Sequence, residues 1–278
     1  MLLESSFFGI LVSDIKIGCK KNLMKYGVVL FFAVVSTVFF SKILNMKCDE
    51  ALTKQAGIYD VLVYLLGGVN PMAKGDKTFE IPIMWMSMRL LVCSCIFVYP
   101  IKDLYSRGVT VLLKYGSKTK WWLSKCVWTI LQVLIVYAIF FGGTIGTSYI
   151  LGINKWTYLK DIGARMSGAI IINQDNLLLL CIVLPLTYAI IMALIEINLS
   201  LAVEPVFAFL GVVIYDILST CIMNPVLLGN ISMVLRIKGV ASRGIELAAP
   251  LIVGVLLGLL SVIIGIKYLK KKDILGND

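Results

Sequence analysis

The chain has 278 residues, 59% of them hydrophobic and only 15% charged, with a formal net charge of +10. Soluble domains carry about a quarter charged residues, so this composition is that of a membrane protein. There is no histidine, which excludes a Ser-His-Asp triad, a Cys-His pair, His-ligated zinc and a histidine proton relay.

In chain order, residues 2–21 set Leu3, Phe7, Ile10, Leu11 and Ile17 against Ser5, Ser13, Lys16 and Lys20. That spacing predicts an N-terminal interfacial helix over residues 1–25, with Asp14 intruding on its apolar face. No basic stretch precedes it and no small-residue cleavage site follows, so a cleavable signal peptide is not expected. Six runs then approach the about 20 apolar residues that a membrane-spanning helix needs. They are Tyr26–Leu44, Ile81–Ile101, Trp121–Leu151, Leu177–Ile197, Val206–Met223 and Ala248–Ile266. The expected fold is an all-α integral membrane protein of six transmembrane helices, forming a single domain over 1–278. Ile58–Val69 is apolar but too short to span, and reads as an interfacial or re-entrant piece on the outer face. The loops at 152–176 and 224–247 are each expected to carry a short surface helix. Glu204-Pro205 marks a helical hairpin between the fourth and fifth spans. The seven cysteines, odd in number and mostly within apolar runs, read as packing residues rather than a disulfide framework.

The densest basic connection between spans is 102–125, where Lys102, Arg107, Lys114, Lys118, Lys120 and Lys125 face one acid, Asp103. The positive-inside rule holds such a loop in the cytoplasm, and with it both termini, since lysines also flank the first and last spans. The rest of the positive charge sits beside apolar runs, so its counter-charge is the anionic headgroups of the lipid bilayer, not nucleic acid. Val109–Tyr115, bracketed by Gly108 and Gly116, is apolar enough to lie along a surface as a short helix. Trp121 and Trp122 follow at the depth where indole rings favour the membrane interface.

Charges within spans are functional hypotheses by default. Arg89 and Asp216 fall at matched depths of roughly 10–12 Å below the outer surface at about 1.5 Å per residue, which suggests a buried pair. The alternative is that Arg89 snorkels to the outer headgroups while Asp216 meets another polar group. Glu196 and Glu204, towards the inner ends of spans four and five, would contact a partner or line a vestibule. The plainer reading makes both of them solvated hairpin residues. In the last span, Gly254, Gly258, Ser261 and Gly265 let helix backbones approach closely, which favours packing within the chain over a dimer seam. Gly142, Gly143, Gly146 and Pro185 are candidate bends.

Gly108–Lys125, GVTVLLKYGSKTKWWLSK, resembles the loop of type-2 ABC exporter permeases, small Gram-positive-type permeases included. In that pattern a glycine begins a short leucine-rich helix, followed by a basic residue, Gly-Ser-Lys/Arg and an aromatic-Lys entry into the next span. The family often has a glutamate before the glycine, where this chain has Tyr105-Ser106-Arg107. The resemblance implies a cytoplasmic coupling helix over 104–118, with Leu104, Tyr105, Arg107, Val111, Leu112, Leu113, Lys114 and Lys118 meeting a separate ATP-binding-cassette ATPase. It also implies a second permease copy or a related permease, and export of an amphiphile such as an antimicrobial peptide, lipid or drug. The chain itself has no G-x-x-x-x-G-K-[ST] and no catalytic set, so it is not expected to be an enzyme or to hold a cofactor. A secondary transporter or channel, or a non-transporting membrane scaffold, are the other classes that the composition allows.

Overall fold

The apolar runs become helices because backbone amides in lipid find no water and must bond one another. The computed structural model of the chain describes residues 7–70, 81–108, 117–168, 176–238, 240 and 244–272. Five of its helical segments are long and apolar enough to cross a membrane, so the chain has the make-up of a multi-pass helical membrane protein. Among the described residues strand pairing is limited to two isolated bridges, Gly57 with Lys155 and Ile237 with Ile245.

Helix α1 runs unbroken over Phe7–Lys47, 41 residues. The separate interfacial helix expected over residues 1–25 is corrected: from Phe7 onward it is the opening part of the helix that carries the first apolar run. The reason lies in a continuous buried stripe. Gly18, Val29 and Phe40 are buried at intervals of eleven residues, and so are Asn22, Ala33 and Leu44. A period of about 3.67 residues per turn keeps such a stripe on one side of a long helix. It packs along α6 (Lys118–Ile150), and the two run parallel: Gly18 lies against Trp128, Phe32 stacks on Phe140, and Leu30 and Ala33 approach Gly143. At about 1.5 Å per residue both helices exceed the about 30 Å hydrocarbon core. Both begin at the end where Lys118 meets Lys272, the basic end of the molecule.

The short α2 (Glu50–Thr53) and α3 (Ile58–Leu66) follow α1 at the opposite end. Of the two readings of Ile58–Val69, interfacial or re-entrant, burial leaves no room for a helix lying open in the leaflet. Ile58, Val61, Leu62, Val63, Leu65 and Leu66 are all buried, because a helix apolar on nearly every side is enclosed by protein. The loop before α7 (Lys160–Ser167) and the 3₁₀ turn Val234–Arg236 close over it, while the preceding 3₁₀ turn Leu228–Ser232 packs on the helices of the fourth and fifth apolar runs. Asp60 fixes this lid by accepting amide hydrogens from Gly57 at 2.8 Å and Leu159 at 2.9 Å. Leu235 N–H donates to the Gly67 carbonyl, and Asn70 to that of Ser167. The 3₁₀ turns are buried, so the surface helix expected in 224–247 is corrected as well.

The second run is α4 (Ile83–Ile96), broken at Phe97–Val98 before α5 (Tyr99–Asp103). Pro100 has no N–H to offer the Ile96 carbonyl, so the ladder opens there. The carbonyls of Ser94 and Cys95, in the last turn before the break, accept instead from Lys25 and Asn22 of α1. The chain continues as a π-turn, Leu104–Gly108. A second π-turn, Leu179–Val183, precedes α8 (Leu184–Ala202), whose first turn holds Pro185. Helix α9 (Pro205–Cys221) has 17 residues and returns antiparallel to α8, against 24 to 41 residues in the five longer helical segments, the second of which is counted through to Ser106. Its C-terminal carbonyls at Ser219 and Thr220 accept from the Arg236 guanidinium, and those of Ile222 and Asn224 from Asn230. In α10 (Ala248–Lys271) the small-residue stripe packs inside the chain. Gly254 lies against Ile191, Ser261 donates to the Leu194 carbonyl at 2.8 Å, and Gly265 faces the Trp122 indole.

Candidate functional site

Polar side chains are collected at three levels inside the bundle, and the lowest lies at the basic end. There Lys125 Nζ stands 2.6 Å from Asp14 Oδ1 and 2.6 Å from Asp103 Oδ2. Lys125 and Asp14 are wholly buried and Asp103 nearly so. Ser124 Oγ donates to Asp14 at 2.7 Å, Tyr99 OH to Asp14 at 3.1 Å, and Trp121 Nε1 to Asp103 at 3.3 Å. The rings of Tyr99 and Trp121 also flank the ammonium, with centroids at 4.9 and 5.1 Å. Three elements therefore meet in one ion cluster: α1 through Asp14, α5 through Asp103 and α6 through Lys125. Such a cluster resists rearrangement, because removing one charge strands the others away from water.

Sequence reasoning missed this cluster. It counted Lys125 among the loop's six basic residues and took Asp14 for an intrusion on an apolar face. A signal was present: Ile10, Asp14, Gly18 and Asn22 recur every fourth residue, so Asp14 continues the stripe that packs on α6. Trp121 and Trp122 do not stand open to lipid. Both are buried in the bundle, Trp121 on Asp103 and Trp122 with its indole N–H on the Val262 carbonyl at 3.1 Å. They anchor the entry into α6 by these hydrogen bonds.

One level up, Gln132 of α6 accepts from Asn22 at 3.1 Å and from Tyr26 OH, both on α1. Asn22 also holds the Cys95 carbonyl freed by the break in α4. This layer ties the first, second and third apolar helices where the second is least regular.

At the third level Arg89 of α4 and Asp216 of α9 meet, Nε to Oδ2 at 3.2 Å. Tyr188 of α8 donates to the other Asp216 oxygen, and the Arg89 guanidinium lies 4.5 Å over the Tyr188 ring. Arg89 Nη1 and Nη2 are buried with no hydrogen-bond partner, and so are both carboxylate oxygens of Glu196. Glu196 lies in α8, fully enclosed, with Cys93 of α4 beside it. The expectation of a solvated hairpin residue is thus corrected for Glu196, because α8 continues to Ala202 and the turn comes only at Val203. Glu204 is exposed at that turn, ahead of Pro205.

Of the segment expected to dock a partner, Leu104 is buried and Tyr105 exposed, both within the π-turn that also includes Arg107. Val111, Leu112, Leu113 and Lys114 lie outside the described residues. Lys118 opens α6, and its ammonium donates to the Lys272 carbonyl at 2.6 Å. Lys272 Nζ in turn donates to the Leu201 carbonyl and stands 5.7 Å from the Tyr105 ring. The ends of α6, α8 and α10 are thereby drawn to the same place as the start of the 104–118 segment.

Comparison with protein-family models, curated proteins and solved structures gives no match for this chain. The class that fold and site define together is a multi-pass, all-helical membrane protein with buried charge clusters inside its helix bundle.

Proposed function

We propose that the chain is the permease subunit of an ATP-driven exporter of the type-2 ABC class, acting in the cell membrane. A separate cytoplasmic ATPase docks on residues 104–118, and a second permease copy or a related permease completes the pathway. The basic end faces the cytoplasm, as the positive-inside rule favours, with both termini there. In this reading α9 is a sixth span. Its start at Pro205 adjoins the basic end and its C-terminus is capped by Arg236 at the other, which supports a full crossing despite its length. The cargo class is an amphiphile: a peptide, lipid or drug that partitions into the bilayer.

The observation that carries the reading is the ion cluster. Asp103 stands immediately before the 104–118 segment and Lys125 soon after it, and the two are paired with each other and with Asp14. The segment is thus a closed loop whose feet are joined to three helices. Force applied to it by a moving partner passes directly to α1, α4–α5 and α6, since packed, paired elements shift as units. A loop that merely connected two spans would need no such footing.

The test is a detergent pull-down of the tagged chain, wild type and Leu112→Asp/Leu113→Asp, with identification of the co-purifying proteins. An ATP-binding-cassette ATPase retained by the wild type and lost from the variant is the expected result. A folded wild type that retains no ATPase under gentle conditions overturns the reading. One observation favours a second reading: the unpartnered Glu196 oxygens beside Arg89 and Asp216 place ionisable groups deep within spans, as in self-contained secondary transporters.

A further inference from the structure

A groove of about 530 Å³ runs along the outside of the bundle between α1, α4 and α9. Val28, Phe31 and Val35 form one wall and Leu90 and Leu91 the other, with Phe209 of α9 completing the lining. The α1 wall covers two helical turns, so the groove is about 10 Å long and runs with the helix axis. Its volume falls within the about 300–1,000 Å³ of small-molecule sites. Nearly all of its lining is hydrocarbon, so water in it would gain no hydrogen bonds.

The two ends of the groove differ chemically. At the basic end stands Lys25, whose ammonium donates to the Ser94 carbonyl at 2.5 Å and lies 5.8 Å from the Phe97 ring. An ammonium has three donors, so that bond leaves two free to point outward. Lys21, one turn earlier on the same face of α1, is exposed and held 5.4 Å from the Tyr99 ring. Lys102 is exposed on α5 within electrostatic reach of Lys25. The acid within reach of Lys25 is Glu196, which is enclosed in the bundle. Lys25 thus stands beside Ser94 of the groove lining, with Lys21 a turn below it and Lys102 within electrostatic reach, and an anion among these cations would relieve their repulsion.

We propose that this groove is a binding site for an anionic phospholipid of the leaflet at the basic end, one acyl chain lying in the groove and the phosphate held by Lys21, Lys25 and Lys102. The match is one of shape and charge together: a hydrocarbon slot ending in a cationic mouth at the depth where the headgroup must sit. The break that Pro100 makes in α4 is part of the site. Lys25 caps the open Ser94 carbonyl there and is held in place by it, with Lys102 one turn beyond the break on α5. A bound lipid at this point bridges the first, second and fifth apolar helices, independently of any ATPase.

The experiment is native mass spectrometry of the purified full chain after incubation with equal amounts of phosphatidylglycerol and phosphatidylcholine. The wild type is expected to retain one phosphatidylglycerol per chain in preference to phosphatidylcholine. Lys21→Gln/Lys102→Gln, at two exposed positions, should reduce that preference about tenfold or more, each lysine near a headgroup contributing about a factor of five. Leu90→Trp, at a position open to the bilayer, should fill the slot and release the lipid while leaving the thermal unfolding temperature of the lipid-free chain unchanged. Equal retention of the two lipids by the wild type, or undiminished retention by Leu90→Trp, overturns the proposal. So does a lipid-free wild-type dimer that Leu90→Trp converts to monomer, since a second copy would then occupy the groove. The lysine variant reports on the headgroup even if the tryptophan disturbs packing.

Discussion

At the scale of single residues, the most consequential side chain is Lys125, because two carboxylates depend on it. With Lys125 and Asp14 fully enclosed, Lys125→Met leaves Asp14 and Asp103 facing each other without their cation. Breaking a buried ion cluster in this way costs about 3–5 kcal/mol, which thermal or denaturant unfolding in detergent will register. Replacing the whole set, Asp14→Asn and Asp103→Asn together with Lys125→Met, should recover most of that loss, since apolar or neutral groups carry no stranded charge. A single Lys125→Met variant as stable as the wild type would refute the buried pairing. Legibility in the sequence follows the same chemistry. The positive-inside rule counts lysines near a span but does not tell a solvated one from one that is paired, so Lys125 was hidden among its neighbours. Arg89 and Asp216 were legible because they interrupt otherwise apolar runs at matched depth. Glu196 was not, since an acid a turn or two from a helix end looks the same whether the helix stops before it or after it.

At the scale of elements, the runs of apolar residues located the long helices, and what they could not convey was continuity. Residues 7–25 carry lysines and an aspartate and so look like a separate surface helix, yet no proline or glycine pair breaks the backbone before Lys47. Conversely Ile81–Ile101 reads as one uninterrupted run, and Pro100 divides it. The small residues of α10 were informative because their spacing alone places them on one face. Their role leads to a paired prediction. A Cβ added at Gly265 would lie 2.4 Å from the buried Trp122 indole, whereas one added at Gly211 of α9 meets nothing within 4 Å. Gly265→Val should therefore destabilise the chain by about 1–3 kcal/mol, the usual cost of overpacking. Gly211→Ala should be neutral or raise stability by about 0.5–1 kcal/mol through the better helix propensity of alanine. Unfolding midpoints of the two variants in the same detergent check both. Equal midpoints would mean that α10 does not seat against Trp122.

At the scale of the whole molecule, the connections sort into two groups at opposite ends. The segments 57–70, 153–168 and 228–237 interlock through Asp60, Asn70 and Arg236, while 104–108, Lys118, Leu201 and Lys272 converge at the basic end. Alternation of this kind follows from helices that each traverse the same thickness, and it turns the short α9 into the decisive element. If α9 crosses the membrane, residue 238 lies on the opposite side from residue 106; if it is only inserted from one face, the two lie on the same side. Both positions are polar and exposed, so each tolerates a reporter. Ser106→Cys and Lys238→Cys, each in a chain whose seven native cysteines are replaced by serine or alanine, would be treated with a membrane-impermeant maleimide. In intact cells the expected outcome is labelling at 238 and protection at 106, with 106 reacting only after permeabilisation. Protection at both positions would make α9 a half-membrane element, and its Asp216 would then pair with Arg89 without a sixth crossing. Labelling at 106 and protection at 238 would instead invert the molecule, placing the basic end outside, where no cytoplasmic ATPase can reach the loop between Asp103 and Lys125.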